Sequence, residues 1–116
     1  MSPTARTLKW LREEGYLAQV VEKFNTFSKK RLDLFGCIDL VAISPVWNGV
    51  FGIQATSTSN VSARLTKSKG CPELRVWLEA GNRFEVVGWS KKGPRGKRKL
   101  WTMVRQEITL EDLENG

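Results

Sequence analysis

Hydrophobic and polar positions fall into short, sharply bounded runs. From Thr4 to Gly15, Leu8 and Leu11 form one apolar stripe with Trp10 nearby, while Arg6, Lys9, Arg12 and Glu13 lie mostly outward. This pattern predicts a first helix stopped by Gly15. Tyr16 to Phe24 is rich in Val and Leu and predicts a strand, followed by a polar, basic connection from Asn25 to Leu34. Cys37 to Ile43 is an apolar run of the kind that fills a central strand, and Ser44-Pro45 stops it. Asn48-Gly49 is a turn signal, after which Val50 to Thr56 returns as a second strand. Pairing Ile43 with Val50 sets Asp39 opposite Gln54.

Beyond this hairpin, Thr58 or Ser59 is suited to cap a helix from Asn60 to about Lys69 that ends at Gly70. Pro72 opens another helical stretch through Leu74, Trp77 and Leu78, with Gly81 as its stop. Arg83 to Trp89 alternates as a strand, Leu100 to Gln106 reads as its hairpin partner, and Thr109 precedes a short acidic turn or helix. The order α-β-β-β-α-β-β, in one domain over residues 1–116, predicts an α/β fold with a mixed sheet flanked by helices.

The composition is that of an ordinary globular chain, 41% hydrophobic and 27% charged. No run approaches the ~20 apolar residues of a membrane span, and Met1 to Arg6 lacks the order of a secretion signal, so a cytoplasmic protein without a membrane partner is expected. Charge changes the picture more. Nineteen Lys and Arg against twelve Asp and Glu give +7, and four of the acids (Glu107, Glu111, Asp112 and Glu114) follow the last basic residue, Arg105. Six cations, Lys91, Lys92, Arg95, Lys97, Arg98 and Lys99, crowd one Gly- and Pro-containing loop between Trp89 and Trp101, the setting of a hairpin tip. Lys29, Lys30 and Arg31 form a second basic edge. Such clusters suit phosphate contacts; the plainer alternative is a surface charged for solubility.

The chain has no His, which removes His-based acid–base catalysis and His-containing zinc sites. Cys37 and Cys71 lack metal-site spacing, and Cys37, inside an apolar run, reads as a buried thiol. Chemistry must then come from carboxylates, amides, Lys and a metal. Asp39 stands in an oily strand, where a carboxylate costs several kcal/mol unless paired, hydrogen-bonded or bound to a cation. Gln54 faces it, and Thr56 shares the Gln54 side of its strand. Convergent oxygens of this kind suit Mg²⁺; the alternative is an Asp bonded to backbone at a strand start.

Gly36-x-x-Asp39, a hydrophobic strand, a hairpin and Gln54-x-Thr56 leading into a helix resemble the PD-(D/E)XK nucleases, particularly small archaeal-type Holliday junction resolvases and related phage proteins. The likeness covers roughly residues 4–88 and implies a restriction-endonuclease-like sheet and a Mg²⁺ or Mn²⁺ cofactor. Asp39 matches the motif aspartate, Gln54 stands where a second acid is usual, and Thr56 replaces the motif lysine. Lys67 or Arg64, three apart on the following helix, are candidates for the missing positive charge. Glu22 is preferred over Asp33 as the additional acid. The resemblance thus implies a metal held by Asp39, Gln54 and Glu22, an endonuclease acting on duplex or branched DNA, and, by analogy, a homodimer. A catalytically eroded DNA-binding module and an RNA-binding accessory protein stand as alternatives.

Overall fold

Gly49 turns the chain through a left-handed φ of +81°, and the strands on either side of it build the middle of the sheet. The computed structural model describes residues 1–115. In chain order it contains α1 (Pro3–Glu13), β1 (Leu17–Val20), β2 (Lys23–Asn25), β3 (Lys30–Leu32), β4 (Leu40–Ile43) and β5 (Phe51–Ser57). A 3-10 turn (Thr58–Asn60) then leads to α2 (Val61–Lys69), α3 (Pro72–Glu79), β6 (Arg83–Lys92), β7 (Leu100–Glu107) and α4 (Leu110–Asn115). The main sheet has the order β1-β4-β5-β6-β7, while β2 and β3 form a separate hairpin. All neighbours are antiparallel except β5 and β6, which run parallel because the chain crosses over through α2 and α3. The expected mixed α/β sheet is therefore present.

Side-chain alternation gives the sheet two apolar faces. Leu40, Ala42, Phe51, Ile53 and Val87 pack with Leu11 of α1 on one side. Phe84 and Val86 pack with Leu74 and Leu78 of α3, Val61 of α2 and Ile108 on the other. Leu11, Ile53, Leu74 and Phe84 are fully buried, each contributing ~1.5–3 kcal/mol of transfer free energy. Gly52 and Gly88 let the second layer close: an added Cβ at Gly52 would lie 3.0 Å from Trp77, and one at Gly88 would strike Val61 and approach the Thr58 Cα to 2.9 Å.

Several boundaries differ from the sequence pattern. The strand expected through Phe24 ends at Val20, because Val21 and Glu22 both donate to the Asp39 carbonyl (2.8 and 3.2 Å). Two successive N–H groups on one acceptor break the ladder and redirect the chain. The connection expected from Asn25 to Leu34 carries the β2–β3 hairpin, which begins at Lys23. The helix expected from Asn60 begins at Val61 behind the 3-10 turn, and neither Thr58 nor Ser59 caps it. Thr109 and Asp112 exchange reciprocal bonds, the Asp112 carboxylate accepting from the Thr109 N–H (2.8 Å), which starts α4. Among the described residues, no helix is long and apolar enough to cross a membrane.

Candidate metal centre

The register expected from the Asn48-Gly49 turn is the one formed: Ala42 pairs with Phe51, Val41 with Gly52 and Leu40 with Ile53. At Asp39 the regular ladder stops. Its N–H reaches the Ile53 carbonyl (2.9 Å), and its carboxylate Oδ2 accepts the Ala55 N–H (2.9 Å), so the side chain takes over a bond that a strand carbonyl would make. Asp39 is only 4% exposed.

Three acids converge here. The break after Val20 turns Glu22 towards Asp39, and the loop after β3 brings in Asp33, so that one carboxylate oxygen of each lies within 4.8 Å of the others. Burial and the neighbouring Asp33 carboxyl push the Asp39 carboxyl from 3.8 up to about 8, with the Ala55 N–H pulling only partly the other way. Two basic residues stand at the rim. Arg31 Nη1 lies 3.0 Å from Glu22 Oε1, and Lys67 Nζ lies 4.0 Å from Asp33 Oδ2. Neither forms an ion pair with Asp39.

Gln54 is fully buried and spans two layers. Its Nε2 donates to Asp33 Oδ2 (3.0 Å), and its Oε1 accepts from Ser68 of α2 (3.3 Å). In this orientation Gln54 braces Asp33 and presents no oxygen to the cluster. Thr56 is buried two residues further along β5 and brings no charge. Gln54 thus bonds Asp33, which lies beside Asp39 in the cluster. Both additional acids, Glu22 and Asp33, are present together, so the sequence-based choice between them is not required. Ser68 had no signal in the sequence, because a serine on a helix usually faces solvent and only the packing of α2 turns it inward.

The cluster offers one hard oxygen donor from each of three acids, all within 4.8 Å of one another, the kind of donor that oxygen-seeking cations take.

The remaining basic residues are spread around this centre. Lys29 and Lys30 are exposed on the β2–β3 hairpin, and Arg64 is half-buried on α2. Lys91 and Lys92 end β6, while Arg95, Lys97, Arg98 and Lys99 occupy the exposed connection to β7. The two basic hairpins follow strands that run in the same direction, one after β1 and the other between β6 and β7, so the chain enters both from the same end of the sheet, at different edges. Arg31, expected on the binding surface, is held by Glu22. Trp47, just before the Asn48-Gly49 turn, is exposed, and Trp101 is exposed beneath Arg6, whose guanidinium lies 3.5 Å from the ring centre. Cys37 is a buried free thiol, and burial beside Cys71 raises it to about 12.

No protein-family model matches the chain, and neither a curated protein nor a solved structure matches it.

Proposed function

We propose that the protein is a metal-dependent phosphodiesterase of the PD-(D/E)XK type acting on DNA, with its centre at Asp39, Asp33 and Glu22. The observation that carries this reading is the meeting of those three carboxylates within 4.8 Å, with Lys67 at their edge. The connectivity adds support: one helix, an antiparallel run β1-β4-β5, then a helical crossover to the parallel strand β6. That order is the one implied by the likeness of Gly36-x-x-Asp39 and Gln54-x-Thr56 to that superfamily.

When bound, Mg²⁺ or Mn²⁺ supplies an activated water and neutralises charge on a phosphate. The chain's own groups do the rest. Asp39, Asp33 and Glu22 hold the ion, and the Ala55 N–H fixes the Asp39 carboxylate in place. Gln54, itself held by Ser68, keeps Asp33 turned towards the cluster. Lys67, with its side chain 57% exposed, has the reach to leave Asp33 for a phosphate oxygen, taking the part of the lysine that Thr56 replaces. The basic β6–β7 connection holds the backbone of the duplex.

The uncharged Thr56 and the inward turn of Gln54 favour one rival, a binding module with an eroded site. One assay decides. Purified protein and Asp39→Ala are incubated with linear and four-way-junction DNA plus Mg²⁺ or Mn²⁺. Cleavage by the wild type alone supports the nuclease reading. Tight binding without cleavage of any substrate assigns the chain to the binding module, and cleavage that survives Asp39→Ala refutes the site.

A further inference from the structure

The β2–β3 hairpin has no place in the sheet, and its apolar side chains face outward. Phe27 at its tip is 98% exposed, and Phe24 and Leu32 are more than half exposed. Burial therefore does not explain them. The tip is nevertheless ordered by its own sequence. Asn25 Oδ1 accepts the N–H groups of Phe27 (2.9 Å) and Ser28 (3.2 Å), an arrangement that fixes the turn from inside. Lys29 closes it in a left-handed conformation, φ 55°, and Lys30 follows. At the foot, Arg31 of β3 is tied to Glu22 of the acidic centre by the 3.0 Å ion pair. A cleft of about 270 Å³ runs between this foot and α1, with Leu8, Val20 and Phe24 as apolar walls and Glu22 and Arg31 as its polar members.

We infer that this hairpin is a base-stacking finger: Phe27 stacks on an unpaired base while Lys29 and Lys30 take the flanking phosphates, which makes single-stranded or branched nucleic acid the preferred substrate. The inference rests on the nucleic-acid reading above and deepens it. An aromatic ring with a free face, flanked by cations, is the pattern by which side chains hold unpaired bases, whereas the bases of an intact duplex already stack on one another. Geometry couples the finger to the centre. Phe27 is five residues from Glu22, so at ~3.3 Å per extended residue the tip stands at most about 16.5 Å from Glu22 along the backbone. That span is at most about five nucleotide steps at the duplex rise of ~3.4 Å, and fewer along an extended single strand. A phosphate at the acids would then lie a few nucleotides from the unpaired base. A lipid surface is the less suitable partner, because Leu32 pairs with Lys23 across the hairpin and leaves no continuous apolar face.

The test uses the full chain in EDTA, so that binding is read without cleavage. Wild type, Phe27→Ala and Phe27→Trp are titrated against fluorescein-labelled single-stranded, duplex and four-way-junction DNA, and against phosphatidylserine-containing vesicles. A single-stranded oligonucleotide carrying 2-aminopurine reports stacking directly. Phe27→Ala is expected to weaken single-stranded and junction binding about five- to a hundredfold, to change duplex binding by less than about twofold, and to abolish 2-aminopurine quenching. Phe27→Trp restores both. Circular dichroism and thermal midpoint should stay at wild-type values, since Phe27 is exposed. Equal loss on all three DNAs, or no loss on any, overturns the finger while leaving a nucleic-acid function standing. A wild type that binds none of the DNAs overturns both readings. Vesicle binding that depends on Phe27 and exceeds DNA binding also overturns the finger and assigns the tip to lipid.

Discussion

Replacing Asp39 by Asn tests whether the buried acid is a burden that a cation relieves. Asn is nearly the same size and keeps an oxygen for the Ala55 N–H. What it removes is the ionisation. In the metal-free fold the Asp39 carboxyl is pushed up to about 8, against 3.8 ordinarily. Between those values the folded chain keeps a proton that the unfolded chain has released, so stability falls as pH rises. The slope is at most ~1.4 kcal/mol per pH unit. From pH 5 to pH 7 the wild type should therefore lose up to ~2.7 kcal/mol through this residue alone, or about 10 °C in thermal midpoint for a chain of this size. The assay is urea unfolding in EDTA, followed by tryptophan fluorescence, at several values between pH 5 and pH 8. Other groups titrate as well, so the quantity read is the difference between wild type and Asp39→Asn. That difference should grow with pH in favour of the variant, and saturating Mn²⁺ should reverse it by displacing the proton. Parallel pH profiles for the two proteins in EDTA would refute the reasoning.

Other expectations follow from single contacts. Lys67→Ala removes the cation nearest Asp33 and should lower the cleavage rate about a hundred- to a thousandfold while leaving duplex affinity within about threefold, measured by single-turnover kinetics. Replacing Lys97, Arg98 and Lys99 together by Ala should reduce the slope of log affinity against log salt by about 3, if each neutralises one phosphate. Glu85 is buried and accepts two bonds from Arg105, at 2.7 and 2.8 Å. Arg105→Ala leaves that carboxylate with only the longer 3.4 Å contact to Arg83 and should cost about 3 kcal/mol in urea unfolding.

The parts of the fold that hydrophobic period and turn chemistry control are legible in the sequence. Asn48-Gly49 with apolar runs on both sides set the β4–β5 register, and Gly15, Pro72 and Gly81 marked helix boundaries, because each acts through local backbone preference. The β2–β3 hairpin was not legible: Lys23-Phe24-Asn25 and Lys30-Arg31-Leu32 bury no face, so they lack the alternation that marks a strand against a core. For the same reason the convergence of Glu22 and Asp33 was open. Their meeting depends on a ladder break at the Asp39 carbonyl and on the path of that hairpin, both tertiary events. The orientation of Gln54 depends on Ser68, fourteen residues away on α2, and residue type alone cannot choose between amide oxygen and amide nitrogen.

Manganese titration followed by electron paramagnetic resonance addresses the metal centre most directly, since free and protein-bound Mn²⁺ give distinct signals. Wild type should take up one tightly held ion per chain or a close pair, with affinity rising between pH 6 and pH 8, and both Asp39→Asn and Asp33→Asn should release it. A wild type that leaves millimolar Mn²⁺ entirely free, or variants that bind it as well as the wild type, would contradict the account.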